Sequence, residues 1–218
     1  MKVYFITGLA ADRSVFKYIR LPQGYKPIYL DWIAPYAAET LTQYAQRLAQ
    51  SIDTAEPFCV IGLSFGGMLA VEISKQYQPA FTILISSVSS VQQLPAYYRM
   101  AGRLHLHRLL PVAAIRHAAV LKRFFTKESP EDKALLKGLI RRSDAQFIKW
   151  ALHAILTWDN TTVLKNATHI HGTHDGILPC RFTTPTHLIS KGGHLMVLTQ
   201  PEQINQILAQ VLSDLQNF

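Results

Sequence analysis

The sequence predicts an α/β protein: a parallel sheet with helices on both faces, interrupted by an inserted helical segment. Three observations predict it. Short apolar runs alternate with amphipathic helical patterns up to about residue 94, and the alternation resumes near residue 161. Between residues 95 and 160 strand signals vanish, and basic, His-containing helical stretches replace them. Residues 1–94 and 161–218 are therefore expected to build one core, with 95–160 as a cap on it. A chain of 218 residues is long enough for one full core, and nothing in it resembles a linker between independent domains.

The elements follow in order. Residues 2–7 (KVYFIT) are nearly all apolar, as a strand covered on both faces must be. Gly8 cuts this run and Asp12-Arg13 closes it, so it reads as a first core strand rather than a signal peptide. Residues 26–32 (KPIYLDW) make a second strand. In 39–52, Leu41, Tyr44, Ala45, Leu48 and Ile52 share one helical face. Residues 57–63 (PFCVIGL) and 81–87 (FTILISS) are further buried strands, with a helix over 66–77 between them. Strands return at 167–173 and 186–192, and a helix over 201–215 opens on Pro201-Glu202, residues suited to a first turn.

Composition narrows the class. Hydrophobic residues at 49% and charged residues at 17% describe a packed protein and argue against disorder. No apolar run approaches the roughly 20 residues of a membrane-spanning helix, so stable membrane insertion is not expected. Cys59 and Cys180 are the only cysteines and suggest no disulfide framework, which favours a reducing, cytoplasmic setting. Residues 99–149 hold twelve Lys or Arg against four Asp or Glu, so the whole net charge of +8 lies in that segment. These cations are either a solvated face over apolar residues such as Leu104, Leu109, Leu110 and Phe147, or an attractor for an anionic partner. Such a partner would be an acidic acyl carrier protein, coenzyme A or a membrane surface; nucleic acid is not expected, because no aromatic-interleaved basic motif is present.

The chemistry centres on residues 62–66, Gly-Leu-Ser-Phe-Gly, at an expected strand-to-helix turn. A turn that sharp brings side chains two residues either side of Ser64 into collision, which Gly62 and Gly66 avoid. It also lifts the serine hydroxyl above the sheet edge, with the Phe65 N–H facing the same space. A serine hydroxyl needs a base, and the base an orienting acid. His194 follows the last expected strand and Asp175 the one before it, both beyond strand C-termini, where open parallel sheets place their sites. Taken singly, Asp175 reads as a turn former before Gly176 and His194 as a loop histidine. Taken together with Ser64, they form an ordered nucleophile, acid and base. An oxyanion would need two N–H donors; Phe65 offers one, and the exit of the first strand at Thr7-Gly8-Leu9-Ala10 is the natural source of the second.

These residues together resemble the α/β-hydrolase superfamily, and the resemblance covers nearly the whole chain from that family's third strand onward. It implies an α/β-hydrolase fold, a mostly parallel central sheet flanked by helices, with a helical cap inserted and the N-terminal antiparallel strands absent. It also implies Ser64 as nucleophile, Asp175 as triad acid, His194 as triad base, and the N–H groups of Leu9 and Phe65 as oxyanion hole, with no cofactor. Thr7 stands where many members have His, and the short 175–194 interval implies that the usual intervening helix is reduced or missing. The activity implied is cleavage of an ester or thioester with an apolar acyl group. A variant of it, suggested by the basic segment, is an esterase acting on carrier-protein- or coenzyme-A-bound substrates.

Competing readings rest on other residues. His169, His171 and His174 form H-x-H-x-x-H before Asp175, a clustering that suits a metal-dependent hydrolase. The plainer reading makes His169 and His171 strand residues and His174 part of the rim. His105 and His107 read as part of a basic helix. Phe147, Trp150 and Trp158 suit either an acyl pocket or core. A ligand-binding protein without turnover, on the same scaffold, is the remaining alternative.

Overall fold

A computed structural model describes residues 1–106 and 128–215. Six parallel strands form one sheet in the order β2-β1-β3-β4-β5-β6: β1 (Lys2–Ile6), β2 (Lys26–Leu30), β3 (Phe58–Leu63), β4 (Phe81–Ile85), β5 (Ala167–Gly172) and β6 (His187–Ile189). β1, β3 and β4 are buried almost throughout, which is why they read as continuous apolar runs. The chain steps from β1 outward to β2, then crosses back to lay β3 on the other side of β1. That reversal of direction opens a crevice at the C-terminal ends of β1 and β3, where ligands bind in such sheets.

Helix α1 (Leu41–Leu48) and helix α2 (Phe65–Tyr77) cover one face. Thr40 and Gln43 form a reciprocal capping box at the start of α1, satisfying two backbone N–H groups. The helix expected over 39–52 is shorter than its periodicity, because a 3-10 turn, Ala49–Ser51, takes over after Leu48. The opposite face is closed by a 3-10 turn at Arg13–Phe16 and by two helices near the end of the chain. These are α6 (Met196–Thr199) and α7 (Pro201–Asp214). Ile204, Leu208 and Leu212 of α7 seal this second core.

Between β4 and β5 the described residues include three helices, α3 (Ala96–Arg103), α4 (Pro130–Arg142) and α5 (Ala145–Thr157). Ser129 and Asp144 cap α4 and α5 through their side chains. Leu109, Leu110, His107 and five of the twelve segment cations, Arg108, Arg116, Lys122, Arg123 and Lys127, lie outside the described residues. Leu104, expected beneath the cationic face, is instead exposed, since it follows the last turn of α3 and projects off its end. Phe147 is buried, and with Trp150 it packs on Trp32, Tyr44 and Phe65. Phe147 and Trp150 do not line the cavity that opens at Ser64. Trp158, just past α5, donates its indole N–H to the buried Glu72 of α2 at 2.8 Å. Glu72 also accepts from Thr42 and Lys75. Among the described residues no helix is long and apolar enough to cross a membrane.

Candidate active site

Ser64 sits between β3 and α2 with φ 52° and ψ −118°. A non-glycine residue in that region costs on the order of 1–3 kcal/mol and persists only where surroundings over-determine it. Here they do. The Ser64 N–H donates to Ile85 O at 2.9 Å, and Ser64 O accepts from the Ser87 hydroxyl at 2.7 Å and from Gly67 N–H at 2.9 Å. A Cβ on Gly62 would lie 2.3 Å from Gly66 O, and one on Gly66 would lie 2.3 Å from both Ile6 O and Thr7 O. The elbow thus packs backbone against backbone on two sides.

Two loops carry the partners. Beyond β5 the chain turns through 173–178, and beyond β6 the segment 190–194 crosses in front of it. Gly172 permits this crossing, since a Cβ there would meet Gly192 O at 2.2 Å. His174 N–H donates to Gly192 O at 2.8 Å and locks the two loops together. The helix missing from the short 175–194 interval is replaced by one 3-10 turn, Cys180–Phe182.

The loops bring Asp175 and His194 to Ser64. His194 Nδ1 is 2.8 Å from Asp175 Oδ2, and His194 Nε2 is 2.9 Å from Ser64 Oγ. A carboxylate can only accept, so Nδ1 carries the hydrogen, which leaves Nε2 to accept from the Ser64 hydroxyl. Asp175 Oδ1 accepts from the Ile177 and Leu178 N–H groups at 2.9 and 2.8 Å. Burial would push the Asp175 carboxyl up, but the facing His194, the His171 and His194 hydrogen bonds and the Leu178 amide outweigh it. They hold the carboxyl below the usual carboxylate range.

Ser64 opens on a cavity of about 310 Å³, which Leu9 and Phe65 also line. Leu136 and Ile140 of α4, and Ile148, Leu152 and Ile155 of α5, roof it. Among its described lining residues only Ser64, Tyr98 and His194 bring polar side chains, and Tyr98 gives its hydroxyl hydrogen to Ile177 O at 3.1 Å. The loop holding Leu9 is pinned at Ala11 O by the Thr7 hydroxyl and by the Trp32 indole N–H. Thr7 therefore acts as a loop brace.

The histidine cluster does not converge. His169 Nε2 faces His171 Nδ1 at 3.0 Å, His171 Nε2 faces Leu178 O at 2.7 Å, and His174 is exposed against Thr173. Among the described residues no three His, Cys, Asp or Glu side chains are grouped to hold a metal ion. His105 is exposed. Sequence reasoning missed Ser87, Tyr98, the Gly172–Gly192 contact and the role of the buried pair His169 and His171; the i, i+2 spacing of those two was the visible signal.

Burial, with His171 beside it, pushes the His169 imidazole down from 6.5 to about 4. The unfolded chain therefore binds a proton that the folded chain refuses between those two pH values. Stability is full above 6.5 and falls as the pH drops toward 4, by about 3 kcal/mol in total. Urea unfolding across this range should show a steeper loss for wild type than for His169→Phe. Parallel curves would contradict the assignment.

A family model described as the alpha/beta hydrolase family matches residues 5–207, and the chain belongs to that family. Solved structures agree in fold. A thermophilic esterase from Thermogutta terrifontis, with malate bound, is 17% identical at a TM-score of 0.76, covering 99% of this chain and 90% of its own. MenH from S. aureus is 14% identical at 0.75, covering 99% and 94%. A hydrolase from Pseudomonas aeruginosa PA01 is 12% identical at 0.72, covering 97% and 89%. No curated protein sequence matches the chain.

Proposed function

We propose that the protein is a serine hydrolase that cleaves a carboxylic ester or thioester with an apolar acyl group. The observation carrying this reading is the line Ser64–His194–Asp175, bonded at 2.9 and 2.8 Å and opening on an apolar cavity. The Ser64 oxygen attacks the acyl carbonyl carbon while His194 Nε2 takes its proton. Asp175 holds the His194 tautomer and balances the imidazolium. Charge developing on the carbonyl oxygen is met by the Leu9 and Phe65 amide N–H groups. The tetrahedral intermediate expels the alcohol or thiol, which His194 protonates. Water, deprotonated by His194, then attacks the acyl-Ser64 ester and releases the acid. Residues 95–160 act as a cap whose apolar underside receives the acyl chain, and no cofactor takes part.

The test is labelling with a fluorophosphonate, beside turnover of p-nitrophenyl esters of rising chain length. Wild type should form a covalent adduct at Ser64, and Ser64→Ala should form none. A folded wild type that stays unlabelled would overturn the reading in favour of a ligand-binding protein.

A narrower version concerns the leaving group. Lys137, Arg141 and Arg142 of α4 and Lys149 of α5 stand exposed on the helices that roof the cavity, a charge arrangement suited to an acidic carrier protein. Added salt should then lower kcat/KM for an ester on an acyl carrier protein and leave a small neutral ester almost unaffected. Equal responses would exclude the carrier.

A further inference from the structure

Beside Asp175 lie two histidines with no part in the steps above. His169 and His171 alternate along β5 and so share a face of the sheet. Both are buried, His171 completely. His171 Nε2 lies 2.7 Å from Leu178 O and 3.4 Å from Asp175 Oδ2. Both oxygens are acceptors, so this nitrogen carries the hydrogen. His171 Nδ1 is then an acceptor, and His169 Nε2, 3.0 Å away, is its donor. With both rings neutral, this geometry makes each the Nε2–H tautomer.

The placement has a consequence for the turn that presents Asp175. Leu178 gives its N–H to Asp175 Oδ1 and receives the His171 N–H on its own carbonyl. We propose that His171 is a positioning residue: its one N–H, shared between Leu178 O and Asp175 Oδ2, ties the 175–178 turn to the rigid strand and so sets the carboxylate that orients His194. His169 supports it by holding the tautomer that makes this N–H available. Without that tie Leu178 O is left buried and unpaired, and the turn keeps its internal bonds but loses its reference to the sheet. The titratable groups facing Asp175 are His171 from β5, His194 from the loop after β6, and Tyr98 from α3. The Tyr98 hydroxyl is pushed up to about 12, first by burial and then by Tyr97 and Asp175.

This assignment rests on the hydrolase reading for its kinetic effects but not for its tautomers. His171→Leu removes the donor, and His171→Gln returns an N–H near the same place. The Leu variant should lose on the order of 10²-fold in kcat on a short p-nitrophenyl ester, with KM nearly unchanged. Its acid limb of kcat/KM should move to higher pH, because Oδ2 loses a donor that shares its charge and so holds the His194 imidazolium more strongly. The Gln variant should recover most of both. A folded Leu variant with wild-type kcat overturns the proposal, as do Leu and Gln variants equally slow with an unmoved acid limb, the pattern of a packing role. Nitrogen NMR of ¹⁵N-histidine wild type needs no variant to fold: His171 Nε2 should be protonated and Nδ1 not. The reverse pattern overturns the proposal whether or not Ser64 labels, and absent labelling with the expected tautomer removes the hydrolase reading alone.

Discussion

Ser64→Ala is expected to lower kcat by about 10⁶-fold while leaving KM for an apolar ester close to wild type. On the proposed mechanism the side chain lost is the only part of the elbow that reacts, and most of the cavity wall is made by other residues. Asp175→Asn should cost about 10⁴-fold by a different route. The Ile177 and Leu178 N–H groups hold Oδ1 in place, so an asparagine keeps its oxygen there and turns its NH₂ toward His194 Nδ1. That nitrogen must then accept, the hydrogen moves to Nε2, and the atom facing Ser64 becomes a donor. The base is lost although every side chain stays within reach. On the proposed mechanism the three act as a unit, so Ser64→Ala combined with His194→Ala should be no slower than either single variant. Steady-state kinetics on one p-nitrophenyl ester decide all of this. A Ser64→Ala enzyme within tenfold of wild type would end the nucleophile assignment.

The second large effect is on folding. Gly66→Ala would drive a methyl group to 2.3 Å from Ile6 O and Thr7 O, and Gly62→Ala would place one 2.3 Å from Gly66 O and 2.5 Å from Gly67 Cα. The obstructing atoms are backbone at the end of β1, in Thr7 just after it, and in the first turn of α2, so no rotamer change relieves the overlap. Each substitution should cost about 4 kcal/mol or more, beyond ordinary overpacking, and many preparations should fail to fold. Gly193→Ala is the control. A Cβ there meets nothing within 4 Å, so it should be neutral or slightly stabilising through the unfolded chain. Urea midpoints give the comparison. Equal midpoints for Gly66→Ala and Gly193→Ala would mean that the elbow relaxes far more easily than its contacts imply.

The strands were legible because the sheet is parallel and covered on both faces, so each one appears as a burst of apolar residues between turn signals. Ser64 was legible because a sharp turn leaves its mark on its neighbours, the flanking glycines. Asp175 and His194 were legible only by their order and by their position past strand ends. Other features leave no such mark. The strand expected over 81–87 stops at Ile85 because Ser86 takes φ 47°, a conformation that serine does not announce. Glu72 reads as the polar side of a helix yet is buried, because its partner Trp158 lies 86 residues further on. His171 resembled a metal ligand or a plain strand residue; its actual neighbours come from a turn seven residues away. Contacts between distant segments decide these cases, and a local pattern does not record them.

The buried Glu72 does more than close a gap in the core. Helix α2 begins at Phe65, directly after Ser64, and carries Glu72 two turns later, about 11 Å along its axis. Trp158, at the C-terminal end of α5, is hung on that same carboxylate. One helix thus acts as a common ruler: the Ser64 hydroxyl is measured from its start and the end of α5, part of the cavity's roof, from its third turn. Ser64 and the end of α5 are thereby both referenced to one element, α2.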